Sequence, residues 1–440
     1  MKRNIRWIAL LTAVLLIAAS CGSDGENADS GTSNGGSATN QDLKGSTLEV
    51  AAVWSGDEQA NFQKVLKKFE DDTGATVKFT STGDDIATIV GGRIEGGAPP
   101  DIAILPQPGL LKEFAQKGDL KSIEDAAGST VDENFDKTWR DLGTVDGTLY
   151  GVWFKASNKS TFWYDIKALD DAGVEPPEDW KSLIEDSQTL LDSGITPISV
   201  AGADGWTLTD WFENIYIRQA GPEMYDKLAT HEIPWTDDSV VKALDTMGQV
   251  IGQDKFVVDG LKGALQIDFP TSVTNVFGNN PKGAMVYEGD FVAGNITGET
   301  DSKLGTDADF VPFPSVDGSE PAVVGGGDVA VMLTSNKASE ALIKYLATPE
   351  AAEIWAKAGG FTSPNKNVDT SVYPDATTKK SAENLVDAKV FRFDLSDLQP
   401  AAFGSTPGQG LFKLFQDWLA DPTQSKTIAQ NMETAAAAAY

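Results

Sequence analysis

The sequence predicts an α/β protein folded as two lobes, behind an export signal and a flexible tether. Three observations carry this. Strand-like and helix-like segments alternate with short connections, which argues for a mostly parallel sheet flanked by helices in each lobe. The stretch from Thr47 to Tyr440 is too long for one compact core. No second long apolar run follows the N-terminal one, so nothing downstream reads as a membrane span.

The N-terminus has the order of a secretory signal: basic Lys2, Arg3 and Arg6, apolar Trp7 to Ala19, then the small residues Ala18-Ala19-Ser20 before Cys21. Its apolar run is too short to span a bilayer with ease. Residues 1–20 are thus expected to be a signal peptide. Cys21 is the single cysteine. Its place after small residues resembles the lipobox of bacterial lipoproteins, with Ala18 where leucine is commoner, and implies a diacylglycerol on the Cys21 thiol. Residues 21–46, rich in Gly, Ser, Asn, Asp and Thr, then form the acylated end and a flexible tether. These features predict a protein anchored at the outer face of the cell membrane. With Cys21 acylated, the body can hold no disulfide, thiolate metal site or cysteine nucleophile.

The formal charge of −30 falls to −33 once Lys2, Arg3 and Arg6 leave with the signal. Nucleic acid and anionic membrane surfaces are poor partners for such a chain; the acidity is mostly a solubility feature, although it could favour cationic ligands.

Thr47 to Val53 reads as a strand, and Asp57 to Asp72 as a helix burying Phe62, Val65, Leu66 and Phe69, stopped by Gly74. Val77 to Thr80 is a second strand, and Ile86, Ile89, Val90 and Ile94 mark a second helix. After Pro99-Pro100 come a strand at Asp101 to Leu105 and a helix carrying Leu110, Leu111 and Phe114. Asp146-Gly147 predicts a tight two-residue hairpin turn. Thr348 and Pro349 suit the cap and first position of a late helix that Gly359-Gly360 ends.

Ligands of open α/β sheets bind beyond the carboxyl ends of the strands. Trp54 and Glu58 follow the first strand there and Gln107 the third; a core plug and a helix-dipole partner are the structural alternatives for the first two. The extended segment through Trp153 and Lys155 reads as a crossing between lobes. Trp153, Trp206 and Trp235 have polar neighbours and read as loop residues; Trp211 shares a helical stripe with Leu208, Phe212 and Ile215, so core and ligand roles stay open. Glu288 and Asp290 follow the strand Gly283 to Tyr287 and could accept from hydroxyls, or Asp290 could cap a helix. Gly325 to Gly327 and Asp328 precede a strand at Val329 to Leu333, and Gly326 would let backbone approach a ligand. Phe361 follows the late helix, and Arg392 could fork onto hydroxyls or pair with an acid.

Several segments together resemble extracellular solute-binding proteins family 1, the carbohydrate-receiving subunits of ABC importers. They are VWSGDEQANFQKVLKKFEDDTG, GGAPPDIAILPQPG, YGVWFKASNKSTFWYD, KGAMVYEGDFVAG and YLATPEAAEIWAKAGGFTSPNK. FRFDLSDLQPAAFGSTPGQG is similar to the α-glucoside-binding branch. The resemblance implies a periplasmic-binding-protein-like fold of type II, with a hinge and a ligand cleft. Lobe 1 would hold residues 47–153 and 311–357, lobe 2 residues 154–310 and 358–440. It implies a monomer that binds a carbohydrate, needs no cofactor, catalyses nothing and docks on permease subunits; no metal-site residues are singled out, and scattered acids leave a structural metal open. Sugars offer apolar faces and a rim of hydroxyls, which suits the ten tryptophans beyond Trp7. On this reading, replacing Trp54 or Trp206 by alanine weakens binding and leaves folding intact. A polyamine receptor is the rival among binders. A surface glycosidase would need a carboxylate pair that this acid-rich sequence cannot single out.

Overall fold

A computed structural model of the chain describes residues 42–386 and 388–440. The predicted signal, the Cys21 lipidation site and most of the tether lie outside the described residues.

The first sheet begins as the alternation of segments demands. Strands β1 (Thr47–Ala52) and β2 (Thr76–Ser81) pair in parallel and enclose helix α1 (Gly56–Thr73). That helix buries Phe62, Val65, Leu66 and Phe69, and Gly74 ends it at φ 74°, donating to the Glu70 carbonyl. Helix α2 (Ile86–Glu95) leads to β3 (Ile102–Leu105), parallel to β1, and helix α3 (Pro108–Lys117) follows. The short strands β4 (Thr144–Val145) and β5 (Thr148–Leu149) form the expected hairpin. Its turn residues Asp146 and Gly147 have φ of 50° and 80°, the left-handed pair such a turn requires.

Strand β6 (Gly151–Asn158) lies wholly inside, and the chain then crosses at Lys159-Ser160 into a second sheet. That sheet is built from β7 (Thr161–Asp165), β8 (Thr196–Ser199), β9 (Gly283–Glu288) and β10 (Ala308–Pro312), in the order β10-β7-β9-β8. Only β8 and β9 run parallel in it. The expectation of a mostly parallel sheet therefore fails here, because each crossing brings the chain back in the opposite sense. The last strands, β11 (Val323–Met332) and β12 (Phe391–Phe393), return to the first sheet, whose order is β12-β11-β3-β1-β2 with β6 beside β11.

Two boundaries drawn from the sequence move. The division at 153/154 falls inside β6, and residues 391–393, expected in lobe 2, extend the first sheet. Gly325, Gly326 and Gly327 do not precede a strand but belong to β11, paired with Asn158, Ser157 and Ala156. Their missing side chains make room for neighbours: a Cβ on Gly327 would lie 2.5 Å from the Lys155 carbonyl.

The helix Trp206–Ala220 is the axis of the second lobe. Every residue from Thr207 to Arg218 is buried, the polar ones included, so it is enclosed on all sides.

Candidate functional site

The carboxyl ends of β1, β2 and β3 open onto a cavity of about 410 Å³, within the range of small-molecule sites. Val53 to Glu58, Gly83-Asp84 and Pro106-Gln107 form one wall; Asp204, Trp206, Phe269 and Phe291 from the second lobe form the other. The lobes meet closely at the rim. A Cβ on Gly298 would lie 1.5 Å from Asp57 Oδ2, and one on Gly360 would lie 2.8 Å from Gly294 Cα.

Of the residues selected from the sequence, Trp54, Glu58, Gln107, Lys155, Trp206 and Asp328 line this cavity. Their roles divide by burial. Trp54 is 2% exposed and packs edge-on against Phe62 and Trp355, at 4.7 and 4.8 Å between ring centres. Its Nε1 donates to Asp328 Oδ2 at 3.3 Å. Trp54 is a core plug that holds an acid in place. Trp54→Ala is therefore expected to cost about 3–5 kcal/mol of stability, measured by denaturant unfolding. A fold of undiminished stability would contradict this packing. Trp206, by contrast, is only half-buried; it starts its helix and leans on Phe269 and Phe291 at 5.4 and 6.0 Å. It is the one tryptophan of the wall with a ring surface left to offer.

The other selected residues lie elsewhere. Trp153 sits on β6, not in a loop, and its ring packs on Trp139 and Phe393 in the core. Trp211 is core, edge-on to Tyr287 at 4.8 Å. Trp235 is fully buried against Phe212 and Phe403. Glu288 is buried at the end of β9, where desolvation and the Asp210 carboxylate push its own carboxyl well up. Asp290 accepts from Thr362 Oγ1 at 2.6 Å and Ser381 Oγ at 3.2 Å and caps no helix by its side chain. Gly326 faces the Lys159 side chain, while its neighbours Gly327 and Asp328 reach the cavity. Phe361 stacks under Trp355 at 5.0 Å, supporting a ring of the wall. Arg392 donates a forked pair to the Asp226 carboxylate at 2.5 and 2.9 Å, on the outside.

The two lysines of the wall are both engaged. Lys155 Nζ donates to Glu58 and lies 5.4 Å from the Trp355 ring centre. Lys159 Nζ donates to Asp394, stands 3.2 Å from Asp210 Oδ2, and lies 5.4 Å from the Trp206 ring centre. Burial alone would lower Lys159; the carboxylates of Asp210, Asp394 and Asp397 outweigh it and hold the ammonium well above its usual range. Burial would raise Asp394, but Lys159 and the donors around it keep that carboxyl at about 2. Carboxylate oxygens of Asp210, Glu213 and Asp394 lie within 4.8 Å of one another, a spacing that would also suit a metal ion. Among the described residues Lys159 supplies positive charge to two of them. Glu213 is further satisfied by the Leu395 and Ser396 amides at 2.7 and 3.0 Å.

Asp204, on the second-lobe wall, accepts from the Phe269 amide at 2.6 Å. Burial pushes it up to about 6, the amide opposing and Asp84 adding to the rise. In the unfolded chain it would titrate near the ordinary carboxyl value, so its favourable contribution is complete at low pH and is lost as pH rises through about 6. Asp204→Asn should then gain stability over the parent at pH about 8 and lose that gain at pH about 4. A difference independent of pH in paired unfolding curves would refute the assignment.

Sequence reasoning passed over Phe291, Trp355, Lys159, Ser405 and Phe412. Their neighbours in space are remote in sequence, as the 235-residue separation of Lys159 and Asp394 illustrates.

A two-lobed α/β body with a cavity at the carboxyl ends of its strands has the architecture of a solute receptor. The profile of the bacterial extracellular solute-binding protein family matches residues 54–353, and the chain belongs to that family. It is 35% identical over 405 residues to the osmoprotective compounds-binding protein GgtB of Synechocystis sp., covering 90% of this chain and 92% of that one. It is 34% identical over 383 residues to the alpha-glucosides-binding periplasmic protein AglE of Rhizobium meliloti, covering 83% and 82%. Among solved structures it superposes on the bacterial solute receptor AcbH with a TM-score of 0.77, at 21% identity and over 91% and 98% of the two chains. A chitin oligosaccharide binding protein gives the same TM-score, 0.77, over 89% and 98% at 21% identity. These likenesses establish the two-lobed type II fold, and the relatives are binding proteins.

Proposed function

We propose that the protein captures a neutral carbohydrate, of the α-glucoside class, in this cavity and delivers it to an ABC importer. It works as a monomer tethered outside the cell membrane through acylated Cys21. The observation that carries the reading is the pairing of a half-exposed Trp206 ring with wall lysines already neutralised by acids. An aromatic face suits the apolar side of a sugar ring, and carboxylates accept from its hydroxyls. Anionic solutes find no free cation among the lysines of the wall. GgtB is named for binding osmoprotective compounds and AglE for binding alpha-glucosides, and the second name supports the α-glucoside class. Ligand contacts with both lobes favour the closed form that the permease would recognise.

A second reading has its own support. Nine carboxylate residues against two lysines line the cavity, which suits a cationic solute such as a polyamine. Calorimetric titration with trehalose, maltose, sucrose and spermidine, at low and high salt, separates the two. Binding of an α-glucoside unchanged by salt supports the proposal. Binding of spermidine alone, weakening with salt, replaces it.

A further inference from the structure

The cavity wall contains buried polar groups that the protein itself leaves without partners. Gln107 caps α3 and is 7% exposed, and its Oε1 finds no donor among the described residues. Ser405 is 2% exposed, and its Oγ is likewise unpartnered. Both line the cavity. Gln399, fully buried, has neither a donor for Oε1 nor an acceptor for Nε2. These three residues gather at one place. The Gln399 carbonyl lies 2.1 Å from where a Cβ on Gly109 would sit, two residues beyond Gln107. The Gln399 side chain lies 3.1 Å from where a Cβ on Gly404 would sit, next to Ser405. Native proteins seldom leave buried amides and hydroxyls unpaired, and two at one cavity wall, with Gln399 packed behind them, point to a partner that enters from outside. Asp397, from the same segment, adds an acceptor to this wall.

We infer that Gln107 and Ser405 are the specificity-determining pair of the site, matched to hydroxyls of the bound carbohydrate. This rests on the carbohydrate reading above and extends it to particular atoms. A hydroxyl is both donor and acceptor, so one such group can satisfy Gln107 Oε1 and a second Ser405 Oγ, with a small rotation of the side chains. A ligand lacking those hydroxyls would leave the buried groups bare, which is how sites built around hydrogen bonds reject close analogues. Apolar contact with Trp206 cannot discriminate in that way.

The test couples protein and ligand changes. Gln107→Leu and Ser405→Ala should each weaken the best-binding sugar about tenfold. Monodeoxy analogues of that sugar should include one that the parent binds about tenfold less well, and whose affinity for the matching variant equals its affinity for the parent within about twofold. Independent losses, or variants that bind every sugar as the parent does, would overturn the inference while leaving the carbohydrate reading intact. A parent that binds no sugar would overturn both. The deoxy series on the parent protein alone remains decisive if a variant does not fold: uniform affinity across the series contradicts the assignment.

Discussion

Lys159→Met is expected to destabilise the protein by about 3–5 kcal/mol, the cost typical of removing one partner from a buried charge pair. Lys159 stands where the chain crosses between sheets, and Asp394 where it leaves β12, so their contact joins the two lobes. Without the ammonium, Asp210, Glu213, Asp394 and Asp397 share an enclosed space in which, among the described residues, Lys159 is the cation that the carboxylates face. The pH dependence gives the result a signature. A carboxyl held at about 2 contributes stability above its ordinary value and loses it as pH falls toward 2. The gap between parent and variant should therefore be widest near neutral pH and narrow in acid. A variant as stable as the parent at neutral pH would show that the cluster carries protons instead of relying on Lys159.

Trp206→Ala should weaken sugar binding about thirtyfold, roughly 2 kcal/mol for an aromatic face lost from the ligand. The ring is half-buried at the start of its helix, so folding should survive, and Trp206→Phe should recover most of the affinity. Trp211→Ala provides the contrast. That ring is core, and its loss should appear in unfolding curves, at about 3–5 kcal/mol. Unchanged sugar affinity in Trp206→Ala would remove the ring from the site.

The contrast between these two tryptophans shows where sequence reading reached its limit. Features governed by neighbours along the chain were legible: the αL stop at Gly74, the Asp146-Gly147 turn, and Thr348 capping a helix with Pro349 at its first position. The rule that ligands sit beyond parallel strands placed Glu58 and Gln107 on the cavity wall. Features governed by remote packing were not. Trp54, Trp153 and Trp206 all read from the sequence as candidate ligand-facing rings, yet only the last keeps a usable face. Arg392 stands beside Asp394 in sequence but pairs with Asp226, 166 residues away. The glycines before Asp328 signal close backbone approach correctly: at Gly327 the backbone of β6 comes close.

The central claim is that a sugar binds between the lobes against Trp206. A crystal structure of the protein with the best-binding α-glucoside tests it most directly. The expected result is a sugar ring stacked on Trp206, with hydroxyls within hydrogen-bond distance of the Asp394–Ser405 segment and Gln107. A sugar bound elsewhere, such as the groove beside Trp180 and Asp317, with the Trp206 cavity holding none, would contradict it.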